Sequence, residues 1–201
     1  MSGDTRQRIL EAALPVFADQ GFAGASTRAL AAAAGVNIAT LAYHFQDKQG
    51  LYDAVVDSIY LDLLALDLPP IQALGPRPAD RVHALVALLY GQARKNAAGI
   101  RLLLRHVMES GGSPERVRAH WELTALQQAA GLLAALGLDP ARDHRLALLS
   151  LNHLIARFAV TDAEHLRPFL DGQGGPPRDP HEAVARHLGD LACTLLGLEP
   201  A

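Results

Sequence analysis

The chain has 201 residues, of which 50% are hydrophobic and 5% aromatic, and its formal net charge is −3. A chain of this length and apolar content can bury a sizeable core in one or two domains. Cys193 is the single cysteine, which excludes an internal disulfide and a cysteine metal cluster. The sequence has no apolar run of about 18 residues and no signal-peptide pattern, so we expect a soluble, cytoplasmic protein without a membrane partner.

A pair of short helices near the N-terminus is the most informative predicted feature. It follows a first helix, which the apolar spacing predicts over about residues 4–20. Residues 27–34 predict the second helix, Gly35 the tight turn after it, and Asn37 the N-cap of a third helix over residues 38–45. This pattern is typical of a helix-turn-helix, whose second helix enters the DNA major groove.

The rest of the chain predicts further amphipathic helices, separated at their clearest break by a proline-rich segment at residues 68–78. Their predicted ranges are residues 47–67, 79–95, 98–109, 114–136, 140–161, 163–170 and 180–196. Leucine and alanine dominate the composition, which favours helices. We therefore expect an all-α protein of nine or ten helices. A three-helix DNA-binding head is expected over residues 1–48, and a further helical domain over residues 49–201.

Within the head, two kinds of DNA contact are expected. The residues expected to read bases are Asn37, Ile38, Ala39 and Thr40, and those expected to hold phosphates are Thr27, Arg28, Tyr43, His44 and Lys48. Asparagine can pair with adenine, while isoleucine, alanine and the threonine methyl suit thymine methyl groups. Purely structural alternatives stay open. Asn37 can be only a helix cap, Tyr43 can be part of the core, and Lys48 can be a solvated surface charge. Residues 1–50 carry four basic and four acidic side chains, so the head is neutral.

Residues 5–60 resemble the N-terminal domain of TetR-type transcriptional regulators. The residues that carry the likeness are Thr27, Arg28, Leu30, Ala31, Ala34, Gly35, Val36, Thr40, Leu41, Tyr43, His44, Phe45, Lys48 and Leu51. The resemblance implies a homodimer that binds a palindromic operator in double-stranded DNA, mostly as a repressor, and releases it on binding a small-molecule effector. Ala42 and the turn at residues 46–47, which is less basic than is usual in the family, depart from the family pattern and predict weaker or more salt-sensitive binding.

The predicted bundle supplies candidates for the effector pocket and the dimer seam. The pocket candidates are polar or aromatic residues on apolar helices: Arg101, Arg105, Met108, Trp121, Asn152, His153, Arg157 and Phe158. The seam candidates form apolar stripes: Leu146, Leu149, Leu154, Ala185, Leu188, Ala192 and Leu195. Two alternatives stay open, since the arginines can be surface or salt-bridge residues and the stripes can be core of the monomer.

Other classes of function find little in the sequence. The nine histidines are scattered and show no metal-ligand spacing, so we expect neither a metal nor a cofactor. The phosphate-loop, His-Glu-x-x-His and Gly-x-Ser-x-Gly motifs are absent, so an enzyme is not expected. The remaining rivals are a helical interaction protein whose head does not bind DNA and a regulator whose dimer senses no small molecule.

Overall fold

The computed structural model describes residues 2–65, 67–110, 124, 127–129, 131–138, 142–170 and 179–199. Nine α-helices have both ends inside these residues, which also hold further helical turns at 131–135 and no β-strand. The helices are α1 (Ser2–Gly24), α2 (Thr27–Ala33), α3 (Ile38–Phe45), α4 (Lys48–Leu64), α5 (Pro78–Lys95), α6 (Ala97–Ser110), α7 (Arg145–Ala159), α8 (Ala163–Leu170) and α9 (Pro180–Leu196). The prediction of an all-α chain with nine or ten helices is confirmed. The helix predicted over residues 114–136 lies mostly outside the described residues.

The chain forms two compact units. The N-terminal unit consists of residues 1–65 and 96–122, and the C-terminal unit of residues 66–95 and 123–201. Helix α6 therefore belongs with α1–α4, although 32 residues separate α4 and α6 in the sequence. The expected boundary after residue 48 separates the predicted DNA-binding head from the rest of the chain, and it stays a prediction. In its packing, α4 belongs with the helices that precede it.

One hydrophobic core holds the N-terminal unit together. Its fully buried members come from five helices and include Ile9, Phe17, Leu30, Leu41, Leu51 and Leu102. Tyr52 packs edge-on against Phe17, with ring centroids 5.0 Å apart. Burial of a large apolar side chain of this kind contributes about 2 kcal/mol. Helix α3 joins this core through Leu41 and Phe45 and packs on α2 and α4.

Helix ends follow the local chemistry. Gly21 adopts φ 70° inside α1, so the regular helix stops at the glycine that the sequence marks as its end. Helix α4 ends at Leu64, a few residues earlier than predicted, and a Leu-Pro-Pro stretch follows at residues 68–70. Helix α7 is shorter at its start than predicted, because Asp143 accepts a hydrogen bond from the Arg145 backbone N–H, which begins the helix there.

The C-terminal unit packs α5, α7 and α8 against α9. Its buried centre includes Val82, Leu85, Leu188, Ala192 and Cys193. A polar contact also joins α5 to α9, where the Tyr90 hydroxyl lies 2.8 Å from His181 Nδ1. Asp179 caps α9, and Gly197 ends it in a left-handed conformation.

Candidate nucleic-acid interface

Helix α3 is held at both ends by short-range hydrogen bonds. Asn37 is its N-cap: Oδ1 accepts from the Thr40 backbone N–H at 2.7 Å and from the Thr40 hydroxyl at 2.9 Å. Gly35, with φ 63°, makes the turn that precedes it. The predicted N-cap and turn are confirmed. Because Oδ1 is occupied by capping, the amide NH₂ of Asn37 is the part of this side chain that can meet a base.

The side of α3 opposite the core is apolar and open. Leu41 and Phe45 are buried, whereas Ile38 is 50% and Tyr43 82% exposed. Asn37, Ala39 and Ala42 are also exposed, and Thr40 and His44 are half-buried. An isoleucine and a tyrosine exposed on one short helix indicate a surface that meets a partner. The structure thus brings the six predicted contacts of residues 37–44 onto one helix, mostly exposed.

The start of α2 carries the next two predicted contacts. Ser26 caps this helix, and its Oγ accepts from the Ala29 backbone N–H at 3.1 Å. Arg28 is exposed and Thr27 half-buried in the first turn. A helix N-terminus with an arginine beside it can bind a phosphate through backbone N–H groups and a guanidinium.

The Lys48 side chain makes contacts inside the N-terminal unit, whereas the sequence predicts a contact with a DNA phosphate. Its Nζ donates to the carbonyl oxygens of Phe22 at 2.9 Å and Ala25 at 3.1 Å, and it lies 4.4 Å from the centre of the Phe22 ring. Two of the three ammonium N–H donors are therefore occupied inside the unit. Lys48 ties the start of α4 to the chain after α1, and only its remaining donor can serve a phosphate.

The predicted effector residues are divided between the two units. Arg101 and Arg105 lie on α6 in the N-terminal unit, and Arg105 Nη1 donates to the Asp19 carbonyl oxygen at 2.7 Å. In the C-terminal unit, Phe158 is half-buried and three further candidates are exposed: Asn152, His153 and Arg157. The Met108 side chain and Trp121 lie outside the described residues. Arg105 thus has a packing role that its sequence position did not show.

The predicted seam residues fall into two groups. Leu146, Leu149 and Leu195 are 79%, 50% and 37% exposed, and Leu154 and Ala185 are half-buried. Leu188 and Ala192 are completely buried inside the C-terminal unit. These two are corrected to core residues, because a side chain enclosed by its own chain has no surface to offer a second subunit. The periodicity of α9 marked an apolar face without showing what covers it.

Within the described part of the chain, no three histidine, cysteine or acidic side chains lie close enough to share a metal ion. No helix there is both long and apolar enough to cross a membrane. Sequence reasoning also missed Arg6, whose guanidinium lies over the Phe45 ring, since no spacing rule links α1 to the end of α3.

Comparison with curated proteins gives partial matches. The HTH-type transcriptional regulator AcrR of Shigella flexneri is 30% identical over 120 residues, which are 60% of this chain and 47% of AcrR. The HTH-type transcriptional regulator UidR of Escherichia coli K12 is 32% identical over 116 residues, which are 57% of this chain and 56% of UidR. The chain thus spans about half the length of the curated relatives it matches.

Comparison with solved structures supports the fold over more than nine tenths of the chain. A TetR family transcription regulator from Marinobacter aquaeolei VT8 has a TM-score of 0.63 at 21% identity, covering 93% of this chain and 94% of that protein. A TetR-like transcriptional regulator from Rhodococcus sp. RHA1 has a TM-score of 0.62 at 22% identity, covering 97% of each chain.

The family assignment agrees with the predicted one. The four proteins compared are all named as transcriptional regulators, in agreement with the prediction that this chain is not an enzyme. Residues 9–55 match the family model for bacterial regulatory proteins of the tetR family. The match is confined to the N-terminal helices, the part of the chain in which the sequence shows the resemblance to TetR-type regulators.

Proposed function

We propose that this chain is a homodimeric, ligand-responsive transcriptional regulator. In this proposal the dimer represses transcription while it is bound to a palindromic operator, and a small, largely apolar effector releases it from the DNA. The observation that carries the DNA-binding part is the exposed face of α3, where Ile38 and Tyr43 project from a helix anchored by Leu41 and Phe45.

The proposed reading of DNA follows from side-chain chemistry. Asn37 offers its amide NH₂ to a base edge, while Ile38 and Ala39 contact thymine methyl groups. Thr40 has its hydroxyl engaged by Asn37, so it offers its methyl group. Phosphates are held by the exposed or half-exposed polar groups flanking this face: Thr27, Arg28, Tyr43, His44 and the third donor of Lys48.

A homodimer follows from the size of the reading surface. One recognition helix covers only a few base pairs, so a specific site needs two helices about one turn of DNA apart. Leu146 and Leu149 project from α7, and Leu195 from α9, as exposed apolar side chains. Covering them with the same face of a second subunit would remove this apolar area from water, which favours a symmetric seam.

A response to an effector requires a link between the C-terminal helical bundle and the DNA-binding head. An effector shifts DNA affinity only if it binds the DNA-competent and incompetent states unequally. Helix α6 supports such a link, because Leu102 lies in the core of the N-terminal unit and Arg105 donates a hydrogen bond to the carbonyl oxygen of Asp19. The chain also passes directly from α5 of the C-terminal unit into α6. The proposed pocket residues in the C-terminal unit remain Asn152, His153, Arg157 and Phe158.

The DNA-binding proposal is tested by removing the exposed aromatic side chain of α3. We expect Tyr43→Ala to weaken binding to duplex DNA by about tenfold, since each of two heads loses a hydrogen bond of about 1 kcal/mol or less. Phe169→Ala is the matched control, because Phe169 is 74% exposed and lies in the C-terminal unit. Equal affinities for both variants in a fluorescence anisotropy titration would contradict the proposed interface.

The dimer proposal has its own test. Replacing both Leu146 and Leu149 by glutamate places four charges in a two-fold seam and should raise the dimer dissociation constant at least tenfold. Leu88→Glu is the control, since Leu88 is 41% exposed on α5. Sedimentation equilibrium measures all three proteins. An unchanged dimer in the double variant would place the seam elsewhere.

A further inference from the structure

Arg6 lies against the end of the recognition helix. Its Cζ is 5.1 Å from the centre of the Phe45 ring, and the arginine side chain is exposed. Phe45, in contrast, is only 5% exposed. The aromatic ring therefore belongs to the core, and the guanidinium covers its outer side at the surface of the unit.

The contact continues a row of rings at this end of α3. The rings of Tyr43 and His44 have centroids 5.1 Å apart, and those of His44 and Phe45 are 6.2 Å apart. Tyr43 and His44 are the two side chains proposed to hold phosphate at the end of α3. The guanidinium of Arg6 is thus the next polar group along the same row.

Stacking on a ring suits a guanidinium for phosphate binding. The planar group keeps its N–H donors along its edge while its face rests on the aromatic ring, and the long side chain is held in place in advance. Cations for phosphate contacts are few in the head, because Arg6 is one of four basic side chains in residues 1–50 and Lys48 directs two donors inward. Arg6 places a charge next to α3 that the expected contacts lack.

We infer that Arg6 is a further DNA-contacting residue, which Phe45 positions to bind a backbone phosphate beside the base pairs read by α3. The inference rests on the proposed DNA-binding function. Phe45 is a positioning residue in this scheme, since it acts only through Arg6. The partner group is a phosphate of duplex DNA, so Arg6 adds affinity without adding base preference.

The test measures how binding to a 30-base-pair duplex of mixed sequence depends on salt. Each phosphate contact contributes about 0.9 to the slope of log affinity against log salt concentration. We expect Arg6→Gln to reduce the slope by about 0.9 for each head, or about 1.8 for a dimer, and Arg6→Lys to retain most of it. Arg8→Gln is the matched control, because this exposed arginine loses the same charge about 200° away around α1.

The outcomes separate the inference from the function on which it rests. A slope that falls in Arg6→Gln and not in Arg8→Gln supports a local phosphate contact. Equal slopes in the two variants, or weaker binding of Arg6→Gln at an unchanged slope, would overturn it while the wild-type protein still binds. A wild-type protein that does not bind the duplex at low salt would instead remove the proposed function.

Discussion

The ammonium of Lys48 lies 2.9 Å from the carbonyl oxygen of Phe22 and 4.4 Å from the centre of the same residue's ring. One side chain thus holds the first turn of α4 against the segment that follows α1. The Phe22 ring packs in turn on Tyr52, with centroids 5.1 Å apart, so the charge lies at the edge of the aromatic core. A residue expected to face DNA therefore has a second role inside the unit.

Lys48→Met tests this internal role. The substitution keeps an unbranched side chain but removes two charge-assisted hydrogen bonds and the cation–π contact, so we expect the unfolding free energy to fall by about 2 kcal/mol. Lys95→Met is the control, since Lys95 is the other lysine of the chain and is exposed. Urea denaturation compares the two. Losses of equal size would show that the contacts of Lys48 contribute no stability of their own.

Asn37→Ser separates capping from base reading. Serine caps helices about as well as asparagine, so the unfolding free energy should change by less than about 0.5 kcal/mol. Serine lacks the amide NH₂ group, so the preferred base at one position of each half-site should change. Thermal unfolding and selection from random duplex DNA measure the two effects. An unchanged selected sequence would leave Asn37 as a cap only.

Gly50→Ala tests the close approach of α4 to the end of α3. A Cβ at Gly50 would clash with the carbonyl oxygen of Phe45, so we expect a loss of about 2 kcal/mol. Gly91→Ala is the opposite case: no atom lies within 4 Å of its Cβ position. It should raise stability by about 0.5–1 kcal/mol, because alanine favours a helix interior. Denaturant midpoints that shift in the same direction from the wild-type value in both variants would contradict this packing.

His181 predicts a dependence of stability on pH. Burial lowers the pKa of His181 below its ordinary value, and the neighbouring Arg94 lowers it further, while Asp179 acts in the opposite direction. The unfolded chain therefore binds more protons just below about pH 6.5, so the unfolding free energy falls as the pH drops through that range. Protonation also makes Nδ1 a donor, so the contact then requires the Tyr90 hydroxyl to act as the acceptor.

His181→Asn removes the titrating group and keeps an acceptor for Tyr90. We expect its unfolding free energy to fall less steeply than that of the wild type between pH 7 and pH 5, as measured by urea denaturation. His153→Asn removes one exposed imidazole from the same unit as a control. If the two variants flatten the profile equally, His181 is not the source of the effect.

The sequence predicted local features better than the partners of side chains. Asn37 and Gly35 determine a cap and a turn through their own chemistry, and both have the expected conformation. Leu188 and Leu146 lie on equally apolar stripes, but one is completely buried and the other 79% exposed. The inward position of Lys48 depends on carbonyl groups more than 20 residues away, and sequence spacing does not show such contacts.

The expected DNA contacts show the same division. Helical periodicity separates Leu41 and Phe45 from the exposed face of α3, and the structure agrees. The position of Arg6 over Phe45 requires α1 and α3 to be packed together, so only the folded unit shows it. Likewise, α6 belongs to the N-terminal unit through packing between residues that are far apart in the sequence.

Selection of binding sites from a pool of random duplex DNA, at two salt concentrations, tests the central claim most directly. Two α3 helices in a symmetric dimer predict that one palindromic site is recovered, with half-sites about one DNA turn apart and weaker binding at the higher salt. Recovery of no sequence above background, even at the lower salt, would contradict the account. The exposed face of α3 would then belong to a protein partner instead of DNA.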